Sequence, residues 1–312
     1  MWSDRRRRRS TGWMGWAGGL GGPWCDLRVR GIRVPPTAMV LGGVVSVQFG
    51  GALAATLIAR LGAAGTVSLR LAFAVPVLLL VARPKLRGRT RRDFLAVAAF
   101  GIVLGLMNLS FYLSLERLPL GVAVTVEFIG PLGLAAAMSR RRRDLLAVAT
   151  AAAGVVLVNG HELSGVNWAG VGFAALAGAL WACYILLSAE TGRRFAQLDG
   201  LALAIVVSAL ITAPVGLITA GGDLLHWHAL AVGAAIALLS SVLPYSLETL
   251  ALRRMKPAVF GIMMSLEPAV GAFAGLLVLN QRLGLIQLLG MVCVVGASIA
   301  ITRTPRSEAP DI

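Results

Sequence analysis

Ten stretches of the chain are apolar over close to the length that a helix needs to cross a bilayer. They fall at about 38–59, 64–82, 94–113, 119–138, 145–160, 169–188, 200–219, 229–250, 258–279 and 285–302. About 20 such residues are enough to span the hydrocarbon layer as a helix. Asp144 crowds the fifth stretch and Pro244 interrupts the eighth. Only short connections and two tails remain, so no soluble domain is expected. The pattern predicts an all-α polytopic membrane protein with ten transmembrane helices.

Composition agrees. Of the 312 residues, 57% are hydrophobic and 14% charged, and the mean hydropathy is +0.81. Soluble domains hold roughly 45–50% apolar and about 25% charged residues. A soluble enzyme, a disordered chain and a secreted disulfide scaffold are therefore excluded. Cys25, Cys183 and Cys293 are too far apart in sequence for a metal or CxxC pattern, and no metal or cofactor is expected.

A net charge of +15 raises nucleic-acid binding as an alternative, and the placement of the charges argues against it. With the N-terminus inside and ten spans, 25 basic residues fall on the cytoplasmic side. Arg60, Arg117 and Arg282 fall outside, and Arg70 lies within a span. That asymmetry is the positive-inside signal, so both termini are expected in the cytoplasm; one miscounted span would reverse every later loop. Arg5 to Arg9 resemble a signal n-region, but Asp26, Arg28, Arg30 and Arg33 leave no clean apolar core after it. Residues 1–35 read as a disordered basic cytoplasmic tail able to touch anionic headgroups. Met39, at the head of the first span, leaves a downstream start as an alternative.

Prolines reveal a repeat. Pro76 and Pro214 are 138 residues apart, as are Pro119 and Pro257, while Pro131 and Pro268 are 137 apart. Gly51-Ala52-Leu53 in the first span also echoes Gly178-Ala179-Leu180 in the sixth. The implied unit is five helices used twice. Five is odd, so the second copy starts on the opposite face and the repeat is inverted, the arrangement by which many secondary transporters build two access states around one central site.

Charge at membrane depth is costly and points to function. Glu127 and Glu267 lie near the midpoints of spans four and nine, just before Pro131 and Pro268. A helix-breaking proline frees a backbone carbonyl, which is tolerated only against protein or a water-filled cavity. These two glutamates form the candidate centre, with Arg70 as either a substrate group or a neutralising ion-pair partner. The neutral repeat mate of Arg70, Ser208, favours the ion pair. Glu248 reads as an interfacial or capping group, since its span ends there. Gln48, Asn108, Ser110, Tyr112, Thr125, Tyr184, Ser240, Ser241, Tyr245 and Ser265 either line the same cavity or hydrogen-bond between helices. Gly101 with Gly105, and Gly271 with Gly275, have the spacing for close helix approach. His161, His226 and His228, near Trp168 and Trp227, fit an interfacial belt better than a metal site.

The stretch YLSLERLPLGVAVTVEFIGP from Tyr112 to Pro131 closely resembles the threonine/homoserine exporter family, EamA-domain proteins of the drug/metabolite transporter superfamily. LPYSLE from Leu243 to Glu248, FGIMMSLEP from Phe260 to Pro268 and LIQLL from Leu285 resemble it too. The likeness covers about residues 38–302. It implies two EamA repeats, 36–160 and 161–302, between the basic tail 1–35 and a cytoplasmic tail 303–312. It also implies export of small amino acids across the bacterial cytoplasmic membrane. The family often carries a glutamate just after span nine, where this chain has Gln281 beside Asn280.

The function expected is a secondary exporter, not an enzyme, moving threonine- or homoserine-like amino acids by proton antiport. A cationic compound or a nucleotide sugar is the alternative substrate. Glu127 or Glu267 can meet an ammonium, and Arg70, Asn108, Tyr112 and Tyr245 line the same candidate site. Pro131, Pro244 and Pro268 are its helix breakers. A carboxyl taken out of water holds a proton more readily, so proton and substrate can compete for one glutamate. The expected partners are the small-molecule substrate, protons and the lipid bilayer, with no nucleic acid; monomer and homodimer both remain open.

Overall fold

The computed structural model describes residues 28–29, 32–139, 146, 149–150, 153, 167–196, 198–252, 263–282 and 284–302. Most of the fifth predicted span, and 253–262 with Arg253, Arg254, Lys256 and Pro257, lie outside them, as does most of the N-terminal tail. Within that tail, β1 (Arg28–Val29) pairs antiparallel with β2 (Ile32–Arg33). Everything from Pro36 onward that is described is helix and short connections.

Helix α1 (Pro36–Ala82) has 47 residues. A straight helix of that length would reach about 70 Å, more than twice the hydrocarbon layer. It is two spans joined at Gly62, whose φ of 69° and ψ of 172° suit a residue without Cβ. Past the break, the Ala63 N–H donates to Glu116 Oε1 at 2.7 Å, so a loop two spans away caps the second arm. Helix α2 (Arg91–Leu115) starts with a reciprocal capping box between Thr90 and Asp93.

The fourth span is broken into α3 (Leu120–Glu127) and α4 (Ile129–Ser139) at Phe128. Next come α5 (Trp168–Arg194), α6 (Asp199–Ala220) and a 3-10 turn, Gly221–Leu225. The eighth span is α7 (Trp227–Ala237), a π turn (Leu238–Val242) and α8 (Leu243–Leu252). Helices α9 (Glu267–Leu279) and α10 (Leu285–Thr302) close the chain. Among the described residues, helices occupy all or part of every predicted span; in the fifth only 146, 149–150 and 153 are described, and they are helical. Five segments are long and apolar enough to cross a membrane, and 120–134 and 267–279 form shorter apolar helices. Both breaks place the proline in the first turn of the next helix: Pro131 is the third residue of α4 and Pro268 the second of α9. Proline is tolerated there because no intrahelical partner awaits its missing N–H.

Helix pairing is reciprocal. The first arm of α1 packs on α7–α8 and on α9, while α5 packs on α2 and on α3–α4. The second arm of α1 packs on α6, with Ser68 Oγ donating to Thr212 O at 2.6 Å. That arm also meets the π turn, whereas α6 meets α2 through Ser208 Oγ, which donates to Gly101 O at 2.6 Å. Exchanging spans 1, 2, 3 and 4 with 6, 7, 8 and 9 maps each of these contacts onto another of them, and the contact between spans two and seven onto itself. Large apolar side chains such as Ile218, Leu80 and Leu210 point outward, 85%, 71% and 68% exposed, as lipid-facing residues do.

Small residues set the close approaches. Gly101 and Gly105 lie against α6, and Gly271 lies against Gln48, whose Oε1 is 2.9 Å from where a Cβ would stand. The tightest contact joins Gly178 of α5 to the break in span four: Glu127 O abuts the Gly178 Cα, and Gly130 abuts the Gly178 carbonyl. A Cβ at 178 would strike main chain, which cannot swing aside. Gly178→Ala should therefore destabilise the protein by about 1–3 kcal/mol, read as a lower thermal midpoint in detergent. Gly172→Ala, on the same helix with open space around it, should hold the midpoint or raise it slightly, because alanine suits a helix better than glycine.

Candidate functional site

Arg70 sits in the second arm of α1, 5% exposed. Its guanidinium is caged by neutral acceptors: Nε donates to Ser241 Oγ at 3.0 Å and Nη2 to Ser240 O at 2.6 Å. Nη1 donates to Asn108 Oδ1 at 2.7 Å and Tyr112 OH at 3.2 Å. The Asn108 amide is itself steered, its Nδ2 donating to Leu104 O at 2.8 Å. The Tyr112 ring lies 5.6 Å from the guanidinium carbon. Spans two, three and eight thus meet at one cation.

Glu127 ends α3 and Glu267 begins α9, so both carboxyls stand at broken helix ends. Glu267 is buried and Glu127 half-buried, and neither makes a hydrogen bond or ion pair with another described residue. Glu127 lies within electrostatic reach of Arg70, and Glu267 within reach of Glu127 and Glu248. Tyr245 is within reach of Arg70, Glu127, Glu248 and Tyr112. Tyr184 stacks obliquely between Phe100 and Tyr245, with ring centres 5.2 and 6.4 Å away. All three tyrosines of the chain therefore converge here. One cation, three carboxyls and three phenols from both halves are thus linked through ring contacts, hydrogen bonds and electrostatic reach.

Residues 168–303 match the EamA-like transporter family. Over 276 residues the chain is 38% identical to the threonine/homoserine exporter RhtA of Escherichia coli K12, covering 88% of this chain and 93% of that protein. The chain belongs to the RhtA family of EamA-like transporters. RhtA of Salmonella typhimurium LT2 is likewise 38% identical over 275 residues, with the same coverage. The fold is shared more widely. A crystal structure of a protein only 14% identical superposes with a TM-score of 0.62, covering 86% of this chain and 97% of that one.

Two sequence expectations about these residues need correction. Arg70 does not form the expected ion pair: among the described residues no carboxylate lies within ion-pair distance, and four neutral oxygens take its donors. A buried guanidinium can be satisfied by carbonyl and hydroxyl oxygens as well as by a carboxylate. Glu248 is not an interfacial group. Its side chain turns inward against Gly43, with Cγ 3.5 Å from where a Cβ there would stand, and it reaches toward Tyr184 and Tyr245.

Several other polar residues have packing roles. Thr125 Oγ1 donates to Gly121 O within its own helix at 2.6 Å. Gln281 Oε1 accepts from the Leu120 N–H at 3.0 Å and so caps α3 from the α9–α10 connection. A glutamine can make this bond as a glutamate would, without the charge. Sequence reasoning overlooked Ser46, whose Oγ donates to Leu239 O at 2.7 Å. Pro244 was the available signal, since it leaves span eight short of a donor.

Proposed function

We propose that this protein exports threonine, homoserine or similarly small amino acids from the cytoplasm in exchange for protons. The observation that carries the reading is the Arg70 guanidinium, held by neutral oxygens, within electrostatic reach of Glu127, which in turn lies within reach of Glu267. A zwitterion supplies an opposite charge to guanidinium and carboxyls alike. Its carboxylate fits at Arg70, and its ammonium fits among Glu127, Glu267 and Glu248 with Tyr245 and Tyr184 beside them. The carboxyls left over are sites for the exchanged protons. The names of the RhtA relatives support the substrate class.

Access would alternate between two five-helix inverted repeats, 36–160 and 161–302. The reciprocal helix pairing and the paired breaks at Phe128 and before Glu267 support that arrangement. The protein would lie in the inner membrane with ten spans and both termini inside. A reporter fused after Ile312 should then be active only in the cytoplasm; periplasmic alkaline phosphatase activity would sink the ten-span count and the inversion together. Three carboxyls against one guanidinium also favour a second reading, export of a cationic compound. Cells overproducing the chain, loaded with labelled threonine, homoserine or a cationic dye, separate the two. Faster loss of the amino acids supports the first reading, and faster loss of the dye alone replaces it with the second.

A further inference from the structure

Leu238–Val242 is the one π turn among the described residues, and its hydrogen bonds explain it. Pro244 has no N–H to give Ser240 O, its partner one turn back. The Leu243 N–H reaches five residues back to Leu238 O, bypassing Leu239. Two consecutive carbonyls therefore lose their intrahelical donors. Both are taken up by other spans: Leu239 O by Ser46 Oγ at 2.7 Å and Ser240 O by Arg70 Nη2 at 2.6 Å.

Arginine has five N–H donors in one plane. Four are bound by Ser241, Asn108, Tyr112 and Ser240. The fifth, the second hydrogen of Nη2, is left over from these four bonds, and the Tyr245 hydroxyl lies within hydrogen-bonding reach of the guanidinium. Ser240 O holds that nitrogen by its other hydrogen and so fixes where the fifth one points. We infer that Pro244 is a positioning residue for substrate: the carbonyl it releases orients the Arg70 guanidinium, so that the remaining N–H, beside the Tyr245 hydroxyl, donates to the carboxylate of the amino acid.

An alanine at 244 restores an N–H to the helix, closes the bond to Ser240 O along the helix axis and turns that carbonyl away from Arg70. This inference rests on the reading that Arg70 receives the substrate carboxylate, and the test separates the two. The full chain is reconstituted in proteoliposomes, and labelled threonine uptake is competed with unlabelled threonine or threonine amide, which keeps the ammonium and lacks the carboxylate. Pro244→Ala should raise the half-saturating threonine concentration about fivefold or more, while the inhibitory concentration of the amide moves less than about twofold. Its thermal midpoint should not fall, because alanine suits a helix better than proline.

Equal shifts for threonine and the amide would mean a general packing defect and overturn the inference, as would no shift for either. Arg70→Lys, run alongside, decides where a failure lies. If it leaves threonine binding unchanged, the carboxylate reading itself fails. If it weakens threonine binding while Pro244→Ala does not, only the role of Pro244 fails.

Discussion

Glu127→Gln and Glu267→Gln should each lower amino-acid export at least about tenfold, on the order of 1.4 kcal/mol of lost coupling, with near wild-type amounts in the membrane. Glutamine has the shape of glutamate and none of its charge or exchangeable proton. Neither carboxyl hydrogen-bonds another described residue, so the substitution removes electrostatic interactions with Arg70, Tyr245 and the neighbouring glutamates and no described hydrogen bond. The close approach of span four to Gly178 runs through the main-chain oxygen of Glu127, which the substitution leaves in place. Folding and transport should therefore separate. Immunoblots of membranes give the amount, and efflux of labelled threonine gives the rate. Because the two carboxyls share one site, the double variant should lose less than the product of the single losses. Unchanged efflux in both single variants would leave the glutamates as packing groups.

Much of this fold was legible because the bilayer limits what a chain can do. A span must be a helix of nearly fixed length, so hydropathy alone located Arg91–Leu115 and Asp199–Ala220 to within a few residues, and Trp168–Arg194 at its start, the helix running on past 188 to its terminal arginines. The break in span four was legible as well: Pro131 announces it, although the helix gives way at Phe128, since proline disturbs the turn before it.

Partners were less legible than elements. Arg70, Glu127 and Glu267 announce themselves as charges at depth, but which oxygen meets which nitrogen depends on the rotation of each helix, and spacing along one span does not fix that. Arg70 and Ser208 show the consequence. They stand 138 residues apart, the spacing of the prolines, and differ in chemistry, yet both donate to a main-chain carbonyl of a neighbouring span, Ser240 O and Gly101 O. The difference between them suggested an ion pair because the available carbonyl could not be seen. Glu248 was misplaced for the same reason. It lies one turn beyond Pro244, and the π turn ahead of it changes the direction in which the residues after it face.

Arg70→Lys should raise the half-saturating threonine concentration about tenfold, while the protein accumulates to within about twofold of wild type. Lysine keeps the positive charge, so the membrane interior sees the same net charge. What it loses is the plane. Its ammonium has three donors where the guanidinium has five, and it cannot serve Ser240 O, Ser241 Oγ, Asn108 Oδ1 and Tyr112 OH together and keep a hydrogen for a ligand. Arg70→Ala removes the charge as well and should abolish export. It also orphans buried acceptors, each at a cost of about 1–3 kcal/mol unless water enters. A double-variant cycle then separates the cage from an ion pair. Were Glu127 the counter-ion of Arg70, loss of the arginine would strand a buried carboxylate, and adding Glu127→Gln would restore protein levels. Neutral oxygens hold Arg70 instead, so Arg70→Ala with Glu127→Gln should accumulate no better than Arg70→Ala alone. Recovery of the double variant would reinstate the ion pair and remove the free cation on which the carboxylate site depends.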